Sequence, residues 1–155
     1  MDLVFRNLTT DHTLKEGFFV DVLDAAVNEV GLPAGQAGFK NKKVELSLNL
    51  VGEGKIRSLN KKYRGKNKVT DVLSFGMDYK TSGKCDIISL GDIFICLPFA
   101  KKQARKEGIE LKKELSRLVV HGFLHLLGYD HEKSSKDTKI MLGLEEKILA
   151  KLMLN

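Results

Sequence analysis

Eleven residues, His121-Gly-Phe-Leu-His125-Leu-Leu-Gly128-Tyr-Asp-His131, hold three of the chain's four histidines and restrict what the fold around them can be. In a helix that runs to Leu127, His121 and His125 stand at i and i+4, so both imidazoles leave one face a turn apart. Gly128 falls where helices commonly end on a left-handed residue, and it lets the chain reverse and bring His131 toward the other two. Three neutral imidazoles with a fourth position open are the ligand set of a catalytic zinc site, because closed structural sites carry four protein ligands, mostly thiolates. One ion is expected. Zinc suits imidazole, and nickel, copper and iron also accept it.

The spacing matches HxxxHxxGxxH, the ligand frame of the metzincin metalloproteases. One position departs from it. Enzymes of the H-E-x-x-H kind carry a glutamate directly after the first histidine as general base, and here that position is Gly122, which has no side chain to accept a proton. Glu132 lies beyond the third ligand and is no obvious substitute. Asp130, beside His131, and Asp71 are candidates to fix an imidazole tautomer by a hydrogen bond, with a solvated turn residue as the plainer reading of Asp130. His12, isolated in a polar stretch, reads as surface.

With 155 residues, 43% of them hydrophobic, the chain suits one domain that buries its own core. Its N-terminus does not read as a signal peptide, and no stretch approaches the ~18 apolar residues of a membrane span. Cys85 and Cys96 lack CxxC spacing and suit reduced thiols, so a cytoplasmic protein is expected. The formal charge is +6, and its distribution says more than its size. Residues 40 to 68 hold ten Lys and Arg against Glu45 and Glu53, a net +8 that leaves the remainder slightly acidic. Such a segment suits a phosphate-bearing partner, although a solvated lysine face would look the same. Arg64 stands out because its planar fork can hold a phosphate at two points, and it flanks a loop with Asn67, Thr70 and Asp71. Lys61, Lys62 and Lys66, its basic neighbours, are expected to bind the substrate with it.

Periodicity gives the elements. Leu3 to Asn7 reads as a strand, and Phe18, Phe19, Val22, Leu23, Ala26, Val27 and Val30 mark one face of a helix from about Leu14 to Val30, stopped by Gly31 and Pro33. Within 41–51, Val44, Leu46, Leu48 and Leu50 alternate with Glu45, Ser47 and Asn49, a strand covered on at least one side. Gly52 and Gly54 end it, and Lys55 to Tyr63 suits a short helix. A polar loop to Asp71, a brief strand at Val72 to Phe75 and an exposed connection from Gly76 to Asp86 follow. Ile87 to Cys96 reads as a strand with a bulge or register break at Gly91-Asp92. Pro98 opens a helix that Gly108 closes. Leu111 to Leu127 is apolar over more than a narrow stripe and should be the central, buried helix. Ser134-Ser135 can cap a last helix from Lys136 to Leu154. The expectation is a single α+β domain, with one mixed sheet of about four strands covered by four to five helices and the metal site on the central helix and the turn after it.

These residues carry a specific resemblance. His121 to His131, preceded by Leu59-Asn-Lys-Lys-Tyr-Arg-Gly-Lys66, Thr70-Asp-Val-Leu-Ser-Phe75 and Leu90-Gly-Asp-Ile93, is similar to the YbeY family of bacterial endoribonucleases and ribosomal RNA maturation factors. The resemblance implies a single metal-dependent hydrolase domain over 1–155 and a zinc held by His121, His125 and His131. It also implies cleavage of single-stranded RNA in maturation of the small-subunit ribosomal RNA 3′ end and in ribosome quality control. The small subunit or ribosomal proteins would be partners. Arg64 corresponds to the family's functional arginine and, with His121, is expected to act in catalysis. Two motifs depart from the family pattern. Lys-Asp-x-Pro-Thr-Asp reads Lys66-Asn67-Lys68-Val69-Thr70-Asp71, and Ser-Phe-Pro reads Ser74-Phe75-Gly76, which loosens the loop and removes a charge at Asn67. The other readings are a non-catalytic assembly factor that binds ribosomal RNA or a ribosomal protein around a structural metal, and a metallopeptidase, disfavoured by Gly122.

Overall fold

The computed structural model describes residues 1–32, 42–77 and 86–153. Its elements are β1 (Asp2–Asn7), α1 (Glu16–Val30), β2 (Lys43–Val51), α2 (Glu53–Arg64), β3 (Val72–Gly76), β4 (Ile87–Cys96), α3 (Leu97–Glu107), α4 (Leu111–Leu126) and α5 (Ser135–Met153). The strands form one mixed sheet in the order β1-β2-β4-β3, with β1, β2 and β4 parallel and β3 antiparallel to β4. The expected α+β class, the four strands and five helices are all present. Differences fall at element ends. Gly54, expected to close β2, lies inside the first turn of α2, because the Gly52 carbonyl already accepts the Ile56 N–H. The expected connection from Gly76 to Asp86 lies, from 78 to 85, outside the described residues, as do Pro33, Cys85 and Leu154.

Alternation in the strands sorts two cores. Val44, Leu46, Leu48 and Leu50 enter the larger one with Phe19 and Leu23 of α1, Leu118 and Phe123 of α4, and Met141 and Ile148 of α5. Each such side chain contributes about 1.5–3 kcal/mol by leaving water. Val51, Ile56, Leu73 and Cys96 form a smaller core on the other face, beneath α2 and α3. That second cover explains why Asn49, on the polar side of β2, is buried; its amide donates to the Ile93 carbonyl and Ser47 Oγ.

The irregularity at Gly91 is a bulge. Glu45 is opposite Ser89 while Ser47 is opposite Asp92, so β4 carries one residue more than β2. Ile88 and Leu90 precede the extra residue and Ile93 and Ile95 follow it, and all four enter the larger core. An unbroken strand would turn the second pair outward. Gly91 has φ +129°, and a Cβ there would lie 2.1 Å from the Phe75 carbonyl oxygen, so the crossing of β3 over the bulge requires glycine.

α4 is the central helix. Ten of its residues are buried, and it packs on α1, α3, α5, β3 and β4. Gly122 is where it meets the sheet, since a Cβ there would stand 3.1 Å from two Ile93 side-chain carbons. No helix among the described residues is long and apolar enough to cross a membrane.

Candidate metal centre

The end of α4 builds the site. Tyr129 N–H reaches the Leu124 carbonyl and Gly128 N–H reaches that of His125, the paired bonds of a Schellman stop, with Gly128 at φ +95°. The chain then returns past the helix end. Asp130 Oδ1 accepts the Glu132 N–H at 2.8 Å and bends the turn around His131. Thr138 Oγ1 donates to the His131 carbonyl from the first turn of α5, itself capped by Ser134 Oγ on the Asp137 N–H.

The three imidazoles converge. Ring centroids of His121 and His125 are 4.7 Å apart, and His131 lies 5.2 Å from each. One nitrogen from each falls within 4.8 Å of the others. The donor set fits a divalent metal on three counts. All three donors are imidazoles on half-buried rings, the set that an open zinc site uses. His131 Nδ1 is buried with no hydrogen-bond partner among the described residues, a desolvated atom with its bonding capacity open. Burial, and then the neighbouring His121 and His131, hold His125 below the ordinary histidine range, which keeps it in the neutral form that binds metal.

Glu145 completes the centre. Its Oε1 lies 2.6 Å from His121 Nδ1, and the residue is 7% exposed. With Nδ1 taken by the carboxylate, Nε2 is the nitrogen His121 has free. This carboxylate escaped the sequence reading because it sits 24 residues from its partner. A signal was there, since Met141, Glu145 and Ile148 share the buried stripe of α5 and an acid at a core position needs a partner. The two acids nominated from sequence have other bonds. Asp130 serves the turn, and Asp71 accepts from the Val72 N–H at 2.7 Å and lies 3.6 Å from Arg117, which forks onto the buried Glu114. Among the described residues, neither bonds a histidine ring.

A cleft of about 570 Å³ opens over the histidines, and its other wall is the α2–β3 loop. Arg64, Lys66, Lys68, Thr70, Asp71 and Ser74 line it opposite His121, His125, Asp130 and His131. Lys61 and Lys62 lie on the last turn of α2, exposed and outside this lining. The loop that departs from the family's proline pattern is tied by side chains. Buried Asn60 donates to the Lys68 carbonyl at 3.0 Å, and Arg57 Nε donates to Asn67 Oδ1 at 3.1 Å. Arg64 donates from Nη2 to the Ser74 carbonyl at 3.1 Å.

Gly122 has no part in the cleft. A side chain at that position points into Ile93, so an acid there would be driven into the sheet and away from the three rings.

A family model described as Endoribonuclease YbeY matches residues 7–153. Endoribonuclease YbeY of Sulfurihydrogenibium sp. is 44% identical over 135 residues, covering 87% of this chain and 82% of that protein. Endoribonuclease YbeY of Aquifex aeolicus is 48% identical over 109 residues, covering 70% and 71%. A solution structure of a Thermotoga maritima protein aligns with a TM-score of 0.62 at 28% identity, over 95% of this chain and 86% of that one. With residues 7–153 matched by the family model and a relative 44% identical over 87% of the chain, the chain belongs to the endoribonuclease YbeY family.

Proposed function

We propose that this protein is a zinc-dependent endoribonuclease that cuts single-stranded RNA, acting in the cytoplasm on the 3′ end of small-subunit ribosomal RNA and in ribosome quality control. The observation that carries the reading is one cleft with three imidazoles on one wall and Arg64, Lys66 and Lys68 on the other. His121, His125 and His131 would hold the zinc ion, which when bound would supply Lewis-acid chemistry toward a phosphodiester. The protein's own groups do the rest. Glu145 holds the His121 ring in one tautomer, and the low proton affinity of His125 keeps it a free donor near neutral pH. Arg64 and Lys66 bind the phosphate, and Arg64 offsets the negative charge that grows as the bond to the leaving oxygen lengthens. No side chain stands where a peptidase of the H-E-x-x-H type keeps its base, which favours phosphodiesters over peptides.

Metal analysis paired with cleavage of single-stranded RNA by wild type, His121→Ala and Arg64→Ala tests this. Wild type is expected to carry one zinc and cut, His121→Ala to lose both, and Arg64→Ala to keep the metal and lose cleavage. Product end groups identify the nucleophile, because a 2′,3′-cyclic phosphate assigns attack to the ribose hydroxyl. If metal-loaded wild type leaves RNA intact, as His125→Ala would, the nuclease reading is wrong; normal cellular function of Arg64→Ala would favour an assembly factor that binds RNA without cutting it.

A further inference from the structure

Tyr63 immediately precedes Arg64, and its side chain is 56% exposed in a stretch otherwise rich in lysine and arginine. The ring is nevertheless held. Its centroid lies 5.1 Å from that of Phe75 at a tilt of 56°, and Phe75 meets Phe94 edge-on at 5.9 Å. Phe75 and Phe94 pack on the smaller core, so Tyr63 is the outer rung of a three-ring ladder rooted in the protein interior. Cations flank it. Lys62 Nζ stands over the Tyr63 ring, 5.1 Å from its centroid, where an arriving base would displace this exposed lysine, and the Arg64 guanidinium stands over the Phe75 ring at 5.8 Å. Arg64 and Ser74, the chain neighbours of Tyr63 and Phe75, both line the metal cleft.

We propose that Tyr63, backed by Phe75 and Phe94, is a stacking platform for one unpaired nucleobase of the RNA whose phosphate lies on Arg64. The proposal rests on the endoribonuclease reading and adds to it a source of strand selectivity. Lysines and arginines attract the phosphates of single and double strands alike, whereas an exposed ring beside Arg64 can stack only on a base that has left its pair. Because every base has a π-face, the platform is indifferent to base identity. The ladder fixes the ring in advance of binding, so little side-chain freedom is lost when the base arrives.

Binding of a short single-stranded RNA and of a duplex of equal length by full-length, metal-loaded protein tests the platform. Tyr63→Phe is expected to bind single strands within about twofold of wild type, and Tyr63→Leu to bind about 5- to 150-fold more weakly, with duplex binding unchanged for both. A scan with one abasic nucleotide is expected to find a position where wild type loses affinity by a similar factor and Tyr63→Leu loses none. That interaction is one that a purely structural tyrosine, or a tyrosine reserved for a protein partner, does not produce. Equal single-strand affinity for wild type and Tyr63→Leu, together with weakened binding by Arg64→Ala, overturns the platform and leaves the nuclease reading standing. Failure of wild type to bind any RNA overturns both.

Discussion

Glu145 Oε1 and His121 Nδ1 lie 2.6 Å apart, joining the middle of α5 to the last turns of α4. The contact gives one of the three clustered imidazoles its tautomer through a carboxylate that is itself shielded from water. Glu145→Ala is therefore expected to weaken zinc binding by about 10- to 100-fold. Glu145→Gln, whose amide oxygen can still accept the Nδ1 proton, should lose less. Competition with a chromogenic chelator measures both, and unchanged affinity in Glu145→Ala would remove the positioning role.

Acid should destabilise the metal-free protein through His125. Its imidazole is held below the ordinary value near 6.5, first by burial and then by the charges of His121 and His131, while Asp130 and Glu145 oppose the shift. The unfolded chain therefore binds this proton more readily than the folded one, and stability is lost as pH falls below about 6.5 and on through the lowered folded value. Thermal melts from about pH 8 down to about pH 5 should show a decline that is shallower in His125→Gln. Parallel curves for the two proteins would assign the decline to other groups.

Gly122→Ala sets two effects against each other. Alanine favours a helix by about 1 kcal/mol over glycine, but overpacking a core costs about 1–3 kcal/mol. Ile93, which the new methyl group would meet at 3.1 Å, is fully buried and has little room to retreat, so net destabilisation is expected. Urea unfolding of the single variant and of Gly122→Ala with Ile93→Val decides it, since the smaller neighbour should recover part of the loss.

Gly91→Ala should be far more damaging. Its methyl group would stand 2.1 Å from the Phe75 backbone oxygen at a φ of +129°, and backbone cannot rotate away as a side chain can. A loss of about 3 kcal/mol or more is expected, with β3 displaced. A variant that unfolds at the wild-type denaturant midpoint would show that the bulge tolerates other geometry.

What the sequence made legible was whatever repeats locally. The alternation from Val44 to Leu50 defined a strand, the apolar spread from Leu111 to Leu126 a buried helix, and the i, i+4 histidines with Gly128 a turn that closes on itself. Gly91 was readable as a bulge because the apolar parity shifts across it. Long-range pairings left fainter traces. Nothing near His121 in the chain points to Glu145, and the bonds of Asp71 to Val72 and toward Arg117 depend on where β3 meets α4. The basic segment was visible as a total, but the division between Arg64, Lys66 and Lys68 in the cleft and Lys61 and Lys62 outside it depends on how α2 ends at Gly65. Tethers such as Asn60 to Lys68 likewise stand in for the rigidity that the missing prolines suggested was lost.

The bond from Arg64 to the Ser74 carbonyl has a consequence for the open side of the sheet. Asp71, Leu73 and Phe75 alternate with Val72 and Ser74 along β3, and Cys96 N–H bonds the Asp71 carbonyl, so by the antiparallel rule the Ser74 carbonyl faces away from β4. It belongs to the row of carbonyls that β3, the edge strand, turns away from the sheet, the side from which another extended chain would add. A guanidinium seated there blocks strand addition at the lip of the cleft, and a lysine, with a single point of charge, would block it less well. An Arg64 variant should therefore be watched for self-association as well as for lost chemistry.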